Sequence, residues 1–178
     1  GGPRKAMARA RRSRGRRGYI VDTNVPLTAN GRDPSSALEC QNACVQRLYA
    51  ITREGAVVID DGDEIFAEYR RYLNLSGEPG MGDRFVKWAY QNIGKSDLVI
   101  RVAIPKRTDG SGEYEHFPDD PELARFDRSD RKFVALARAH GGSPPILNAS
   151  DSDWLHAREA LGRHGVLVEM LCPERFET

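Results

Sequence analysis

Cysteine and histidine are scarce in this chain, three and four residues in 178, and no apolar run approaches the roughly 18 residues of a membrane span. Cys40, Cys44 and Cys172 are odd in number, and Cys40 and Cys44 fall on one helical face beside Ala37, Leu48 and Ile51. Small thiols pack there as apolar groups, whereas a zinc site needs four convergent ligands. His116, His140, His156 and His164 stand at no spacing that completes one, so buried or free thiols are expected. The early apolar run Tyr19-Ile20-Val21 is cut by Asp22 before it reaches the length of a signal-peptide core. With no membrane segment either, a soluble, cytoplasmic protein is expected. A Gly-rich phosphate loop with its lysine is also lacking, which removes the nucleotide-binding module from consideration. No internal repeat is present.

Charge is nearly balanced at +1, but it is divided along the chain. Eight of the 27 basic residues (Arg4, Lys5, Arg9, Arg11, Arg12, Arg14, Arg16 and Arg17) lie in the first 18 positions with no acid among them, leaving 19 basic against 26 acidic residues and a net charge of about −7 in the rest. Residues 1–18 therefore read as a disordered basic arm that attracts polyanions by counterion release. The remaining 160 residues suit one domain with a full hydrophobic core.

Strands and helices alternate along that domain, which points to a mostly parallel sheet of about five strands in a three-layer α/β/α sandwich. Tyr19-Ile20-Val21 reads as a buried strand, and a polar turn follows at residues 30–34. Ser35 or Ser36 is placed to cap a helix with Ala37, Cys40, Cys44, Leu48 and Ile51 inward. Ala56-Val57-Val58-Ile59 is the second strand, and Asp60 to Asp63 offer caps for a helix burying Ile65, Phe66, Tyr69 and Leu73. A helix with Phe85, Trp88, Ala89 and Ile93 and an alternating strand over 98–104 come next. Residues 105–124, rich in Pro and Gly, form a long loop insertion of the kind that is often functional. Helix 127–139, strand 145–147, helix 152–163 and strand 166–171 complete the chain.

Acids recur where these elements begin or end. Asp22 closes the first strand, Glu68 rides the second helical segment, and Asp130 and Asp151 stand at later helix starts. Hard cations such as Mg²⁺ take oxygen ligands, and a few converging carboxylates with water suit them. Singly, each acid has a bland role: Asp127 and Asp130 as helix caps, Asp151 as a cap for the helix at Ser152, and Glu68 as a solvated charge. Their conjunction favours a metal site, and a strand-end acid such as Asp22 is costly to bury unless bonded or ligated.

The order of an apolar strand with Asp22-Thr23-Asn24, then Glu68-Tyr69-Arg70-Arg71-Tyr72-Leu73, then Asp127-Arg128-Ser129-Asp130-Arg131-Lys132-Phe133, then Asp151-Ser152-Asp153 resembles the PIN-domain nucleases over nearly the whole chain after residue 18. That resemblance implies a parallel α/β/α sandwich with acids at the carboxyl ends of its strands, binding one or two Mg²⁺ or Mn²⁺ ions and cutting phosphodiester bonds, usually in RNA. It implies metal-ligating and catalytic roles for Asp22, Glu68, Asp130 and Asp151. Accessory roles fall to Asn24, which orients Asp22 or a water, to Glu64, one turn before Glu68 on the same face and the alternative to it as helical ligand, and to Ser150 and Asp153. Many bacterial members are toxins held by a protein inhibitor. Where relatives present a Thr-Gly pair before the fourth acid, this chain has Asn148-Ala149-Ser150, which leaves open whether Asp151 or Asp153 points inward. Arg14, Arg16 and Arg17 of the arm, with Arg70, Arg71, Arg131 and Lys132, are candidates to hold flanking phosphates.

Other chemistries fit less well. A haloacid-dehalogenase-like phosphatase needs a second Asp where Asn24 stands, and a receiver domain needs an acidic pair and a late strand-end Lys that are lacking. The remaining rival is a catalytically degenerate module that binds nucleic acid or a protein partner. Nothing in the sequence excludes an oligomer.

Overall fold

The computed structural model describes residues 15–32 and 37–173. Five strands form one all-parallel sheet, β1 (Arg17–Val21), β2 (Gly55–Asp60), β3 (Val99–Val102), β4 (Ile146–Asn148) and β5 (Val168–Met170), in the order β3-β2-β1-β4-β5. The register pairs Tyr19 with Val57, Val57 with Val99, Ile20 with Ile146 and Ile146 with Val168. Six helices flank it: α1 (Asn24–Ala29), α2 (Leu38–Glu54), α3 (Glu64–Tyr72), α4 (Met81–Gln91), α5 (Arg131–His140) and α6 (Ser152–Arg163). The result is the expected three-layer α/β/α sandwich. No helix among the described residues is long and apolar enough to cross a membrane.

Position in the sheet explains composition. β2 lies between β1 and β3, and all six of its residues are buried, so it reads as a continuous apolar run rather than an alternation. Its last residue, Asp60, is buried because it caps α3, accepting from the Glu64 and Ile65 amides at 2.9 and 2.8 Å. Asp83 is buried for a similar reason, accepting from the Asn30 side chain (2.8 Å) and the backbone amides of Asn74 (2.8 Å) and Gly80 (3.1 Å).

Several boundaries differ from the sequence reading. β1 begins at Arg17, so the last residues assigned to the arm belong to the sheet, while residues 1–14, including Arg14, lie outside the described residues. Helix α1 was not anticipated. It is one and a half turns long and has Pro26 in its first turn, where the missing N–H costs nothing. The proposed caps Ser35 and Ser36 lie outside the described residues, and α2 starts after Ala37. The expected helix over 127–139 is a 3₁₀ turn, Arg128–Asp130, leading into α5, with Asp127 accepting from the Ser129 amide at 2.9 Å.

Two of the three cysteines are paired, against the expectation of free thiols. Cys172, just past β5, meets Cys40 in the first turn of α2 at a Cα–Cα distance of 5.2 Å, and Cys44 stays a buried thiol. The partners are 132 residues apart, a closure that helical periodicity on α2 alone does not reveal.

α1, which follows Asp22 directly, is held against α4 with no room to spare. A Cβ at Gly82 would collide with the Pro26 carbonyl, while the Gly82 amide donates to Asn30 Oδ1 at 2.8 Å. Gly82→Ala is therefore expected to lower stability by about 1–3 kcal/mol through forced separation of the two helices. Urea denaturation checks this, and an unchanged midpoint contradicts it.

Candidate active site

In an open parallel sheet, ligands bind beyond the carboxyl ends of the strands where the strand order reverses. Here that reversal lies between β1, whose chain continues toward β2 on one side, and β4 on the other. Asp22 leaves β1 and the segment 148–151 leaves β4 at this crevice, bound together by the Asp22 amide donating to the Leu147 carbonyl at 3.1 Å.

Asp22 is 5% exposed, and both of its oxygens accept hydrogen bonds, Oδ1 from the Asn24 amide and Oδ2 from the Trp154 indole, each at 2.9 Å. Burial pushes its carboxyl up from 3.8 to about 6; the two hydrogen bonds oppose this, and Glu68 and Asp151 add to it. Glu68 accepts from Lys132 Nζ at 2.9 Å and from the Thr23 hydroxyl. Asp130 makes no capping bond, although it precedes α5. Burial, then the charges of Asp22, Asp127 and Asp151, raise its carboxyl to about 8, against the pull of Lys132. Asp151 caps α6 by accepting from the Asp153 amide at 2.9 Å. Its charge bears on both Asp22 and Asp130. Four acids from four segments thus share one electrostatic neighbourhood.

They do not form a contracted ligand shell. Among the described residues, the one group of three or more Cys, His, Asp or Glu whose ligand atoms all lie within 4.8 Å is Cys40, Cys44 and Cys172. The acids interact at longer range, and the cation nearest them is the Lys132 ammonium. Their donor set nonetheless fits a hard divalent ion, being all carboxylate oxygen and carrying negative charge that one lysine does not neutralise. Asp60 and Asp83 are different, because backbone and amide donors occupy their oxygens.

The accessory candidates separate. Asn24 orients Asp22 through its backbone; its side chain donates to Asn148 Oδ1 and accepts from the Ala149 amide at 2.9 Å, so it ties β1 to β4. Asp153 is exposed and lines another concavity with Arg125, Asp127 and His156, which leaves Asp151 as the inward acid. Ser150 is half-buried in the same loop. Glu64 sits at the rim, where it accepts from the Tyr114 hydroxyl at 3.1 Å and pairs with Lys106 at 3.6 Å. Both partners come from the 105–124 segment, which borders the site through Tyr114. Arg131 anchors that segment, donating to the Ala124 and Phe126 carbonyls and pairing with Glu113.

The basic candidates also part company. Arg131 is buried as that anchor, and Arg70 pairs with Asp63 at 2.6 Å. Lys132, 8% exposed, donates to Glu68 and also lines the groove beside it. Arg16 and Arg17 lie at the amino end of β1, where Arg16 donates to the Gly55 carbonyl at 3.3 Å, at the opposite edge of the sheet from the acids. Arg71 is exposed on the same groove as Lys132, which has a volume of about 520 Å³, leads off the acids and is lined also by Glu64, Glu68, Tyr72, Tyr114 and Arg128.

Sequence reasoning missed Trp154 and Asn148. Asn148 is fully buried; its amide donates to the Asp151 carbonyl at 2.9 Å, and its oxygen accepts from the Asp151 amide at 3.3 Å. A signal for Trp154 existed: a tryptophan one turn after Asp151 on the inward face of a helix must find a partner for its N–H.

No family model matches this chain, no curated protein does, and no solved structure does.

The raised carboxyls make stability depend on pH when no metal is added. In the unfolded chain these acids ionise near 3.8, and in the fold near 6 and 8, so the folded state binds more protons in between. The contribution is complete below the unfolded value and is lost as pH rises through the folded ones. Thermal denaturation in a chelator is expected to show wild type losing stability relative to Asp130→Asn as pH rises from about 5 to about 9. A difference that stays constant or reverses excludes the shift.

Proposed function

We propose that this chain is a divalent-metal-dependent nuclease that hydrolyses phosphodiester bonds, with RNA as its substrate, as the resemblance to PIN-domain nucleases implies. The observation that carries this reading is the gathering of Asp22, Glu68, Asp130 and Asp151 around the β1/β4 crevice, where two of their carboxyls are raised by burial and by one another's charge. Such charge is costly to bury and is relieved by a cation.

Asp22, Glu68, Asp130 and Asp151 would hold one or two Mg²⁺ or Mn²⁺ ions. A bound ion would activate water and neutralise charge building on the phosphate oxygens. The chain's own groups do the rest. Trp154 and the Asn24 amide fix the plane of the Asp22 carboxylate, and Thr23 with Lys132 fixes Glu68. Asn148 holds the loop that presents Asp151. Arg71 and Arg128 offer guanidinium groups to phosphates along the groove, and Tyr72 and Tyr114 offer aromatic surface to bases.

One observation favours a second reading, a binding module without cleavage: the Lys132 ammonium already neutralises Glu68, leaving three acids for metal. A protein inhibitor or regulatory partner is compatible with either. A nuclease acting on RNA fits the cytoplasm, but the Cys40–Cys172 disulfide argues the other way, since a reducing compartment would open it.

Incubation of end-labelled RNA and single-stranded DNA with Mg²⁺ or Mn²⁺, against a chelator control, separates the readings. Metal-dependent cleavage that Asp22→Asn abolishes supports the nuclease. Retention of RNA without cleavage supports the module.

A further inference from the structure

The tightest group of metal-ligating atoms among the described residues is sulfur, and it lies outside the acid crevice. Cys40 and Cys44 stand one turn apart on α2, Cys172 follows β5, and the three Sγ atoms all lie within 4.8 Å of one another. Each side chain is buried, at 2%, 0% and 0% exposure. A disulfide uses two sulfurs, but three converge here.

The spacing suits a metal. With metal–sulfur bonds of about 2.3 Å, sulfurs sharing one ion stand about 4 Å apart, within the span already present. Thiolates select soft ions over Mg²⁺ and Mn²⁺, and three of them with no fourth ligand at hand among the described residues suit a cuprous ion, whereas zinc takes four. Cys40 also lies in the first turn of a 17-residue helix, where unsatisfied main-chain N–H groups lower the cost of a thiolate. We propose that the reduced chain binds one cuprous ion on Cys40, Cys44 and Cys172, and that this ion and the Cys40–Cys172 disulfide exclude each other.

The exchange balances with a dithiol as reductant. Two electrons and two protons pass from the dithiol to the Cys40–Cys172 bond, which opens to two thiols as the reductant closes its own disulfide. The cation then displaces the three thiol protons into solvent. Either cross-link holds the same segment: the Leu171 and Cys172 amides donate to the Asn148 and Ala149 carbonyls at 2.8 and 3.2 Å, directly behind the loop that presents Asp151. Sulfur and carboxylate sites therefore lie back to back and take ions of opposite hardness.

The test uses the full chain, reduced with a dithiol, freed of it by anaerobic gel filtration, and titrated separately with Zn²⁺ and Cu⁺. Bound metal is counted by elemental analysis and native mass spectrometry, with folding followed by circular dichroism. One cuprous ion per reduced chain is expected, retained in excess Mg²⁺ and in Asp22→Asn, with reactive thiols falling from three to none on binding. Cys44→Ser leaves the disulfide pair intact and is expected to lose at least about 100-fold in affinity. Cuprous ion binding in this way supports the proposal, and Zn²⁺, lacking a fourth ligand, is expected to bind far more weakly. Three results overturn it: no cuprous ion bound by the reduced chain, folded or unfolded; Cys44→Ser binding as tightly as wild type; or the oxidised chain binding equally well.

Discussion

Asp22→Asn is expected to lower Mn²⁺-dependent RNA cleavage by at least about 10³-fold, equivalent to about 4 kcal/mol of transition-state stabilisation. Among the four acids, Asp22 sits deepest and has both oxygens fixed, by the Asn24 amide and the Trp154 indole. An amide at this position keeps one acceptor oxygen and turns its NH₂ toward a donor, so the fold bears a cost of about 1–3 kcal/mol for one unsatisfied group. Loss of a buried charge offsets part of that. Activity should therefore fall far more than stability. Asp153→Asn, two residues past Asp151 but exposed on another concavity, is expected to cleave within twofold of wild type. Initial rates at saturating Mn²⁺, beside thermal midpoints with and without the ion, separate the two effects. Asp22→Asn cleaving within threefold of wild type would remove the acid crevice from the chemistry.

The contrast between Asp22 and Asp153 shows what the sequence makes legible. Apolar runs bounded by turn residues locate β1, β2 and most of the helices, because burial on a strand or helix face imposes a period on the chain. Three of the acids stand out for the same reason, Asp22 at the end of such a run and Asp130 and Asp151 just before a helix, while Glu68 lies within α3. What supports them does not, because Trp154 reaches Asp22 across 132 residues and Asn24 reaches Asn148 across 124, and no local pattern encodes either meeting. Charge also misleads over short distances. Arg17 is five positions from Asp22, yet a strand rising about 3.3 Å per residue carries them roughly 16 Å apart, to opposite edges of the sheet. Lys132 reads as a surface cation beside Asp130, but the first turn of α5 aims it inward at Glu68. Rules of sequence spacing give the faces of single elements; which faces meet depends on strand order, and the reversal between β1 and β4 sets the position of the site.

Reduction of the Cys40–Cys172 bond in metal-free protein is expected to lower unfolding free energy by about 2–5 kcal/mol, the upper figure being the chain-entropy value for a closure of this length. The partners are 132 residues apart, so the bond restricts most of the unfolded chain. In the fold it pins the segment after β5 to the first turn of α2, and that segment's amides hold the Asn148 and Ala149 carbonyls. Asn148 in turn fixes both amide and carbonyl of Asp151. Loss of the bond should thus be felt first as faster hydrogen exchange at Asp151, Leu171 and Cys172, ahead of β2, whose residues are buried throughout. Urea midpoints of oxidised and reduced protein in chelator give the global term, and exchange mapped along the chain gives the local one. Cys40→Ala with Cys172→Ala should reproduce both without a reductant. Equal midpoints would mean that the pairing adds nothing to the fold. A uniform rise in exchange would mean that it acts only through the unfolded chain, without tightening the loop that carries Asp151.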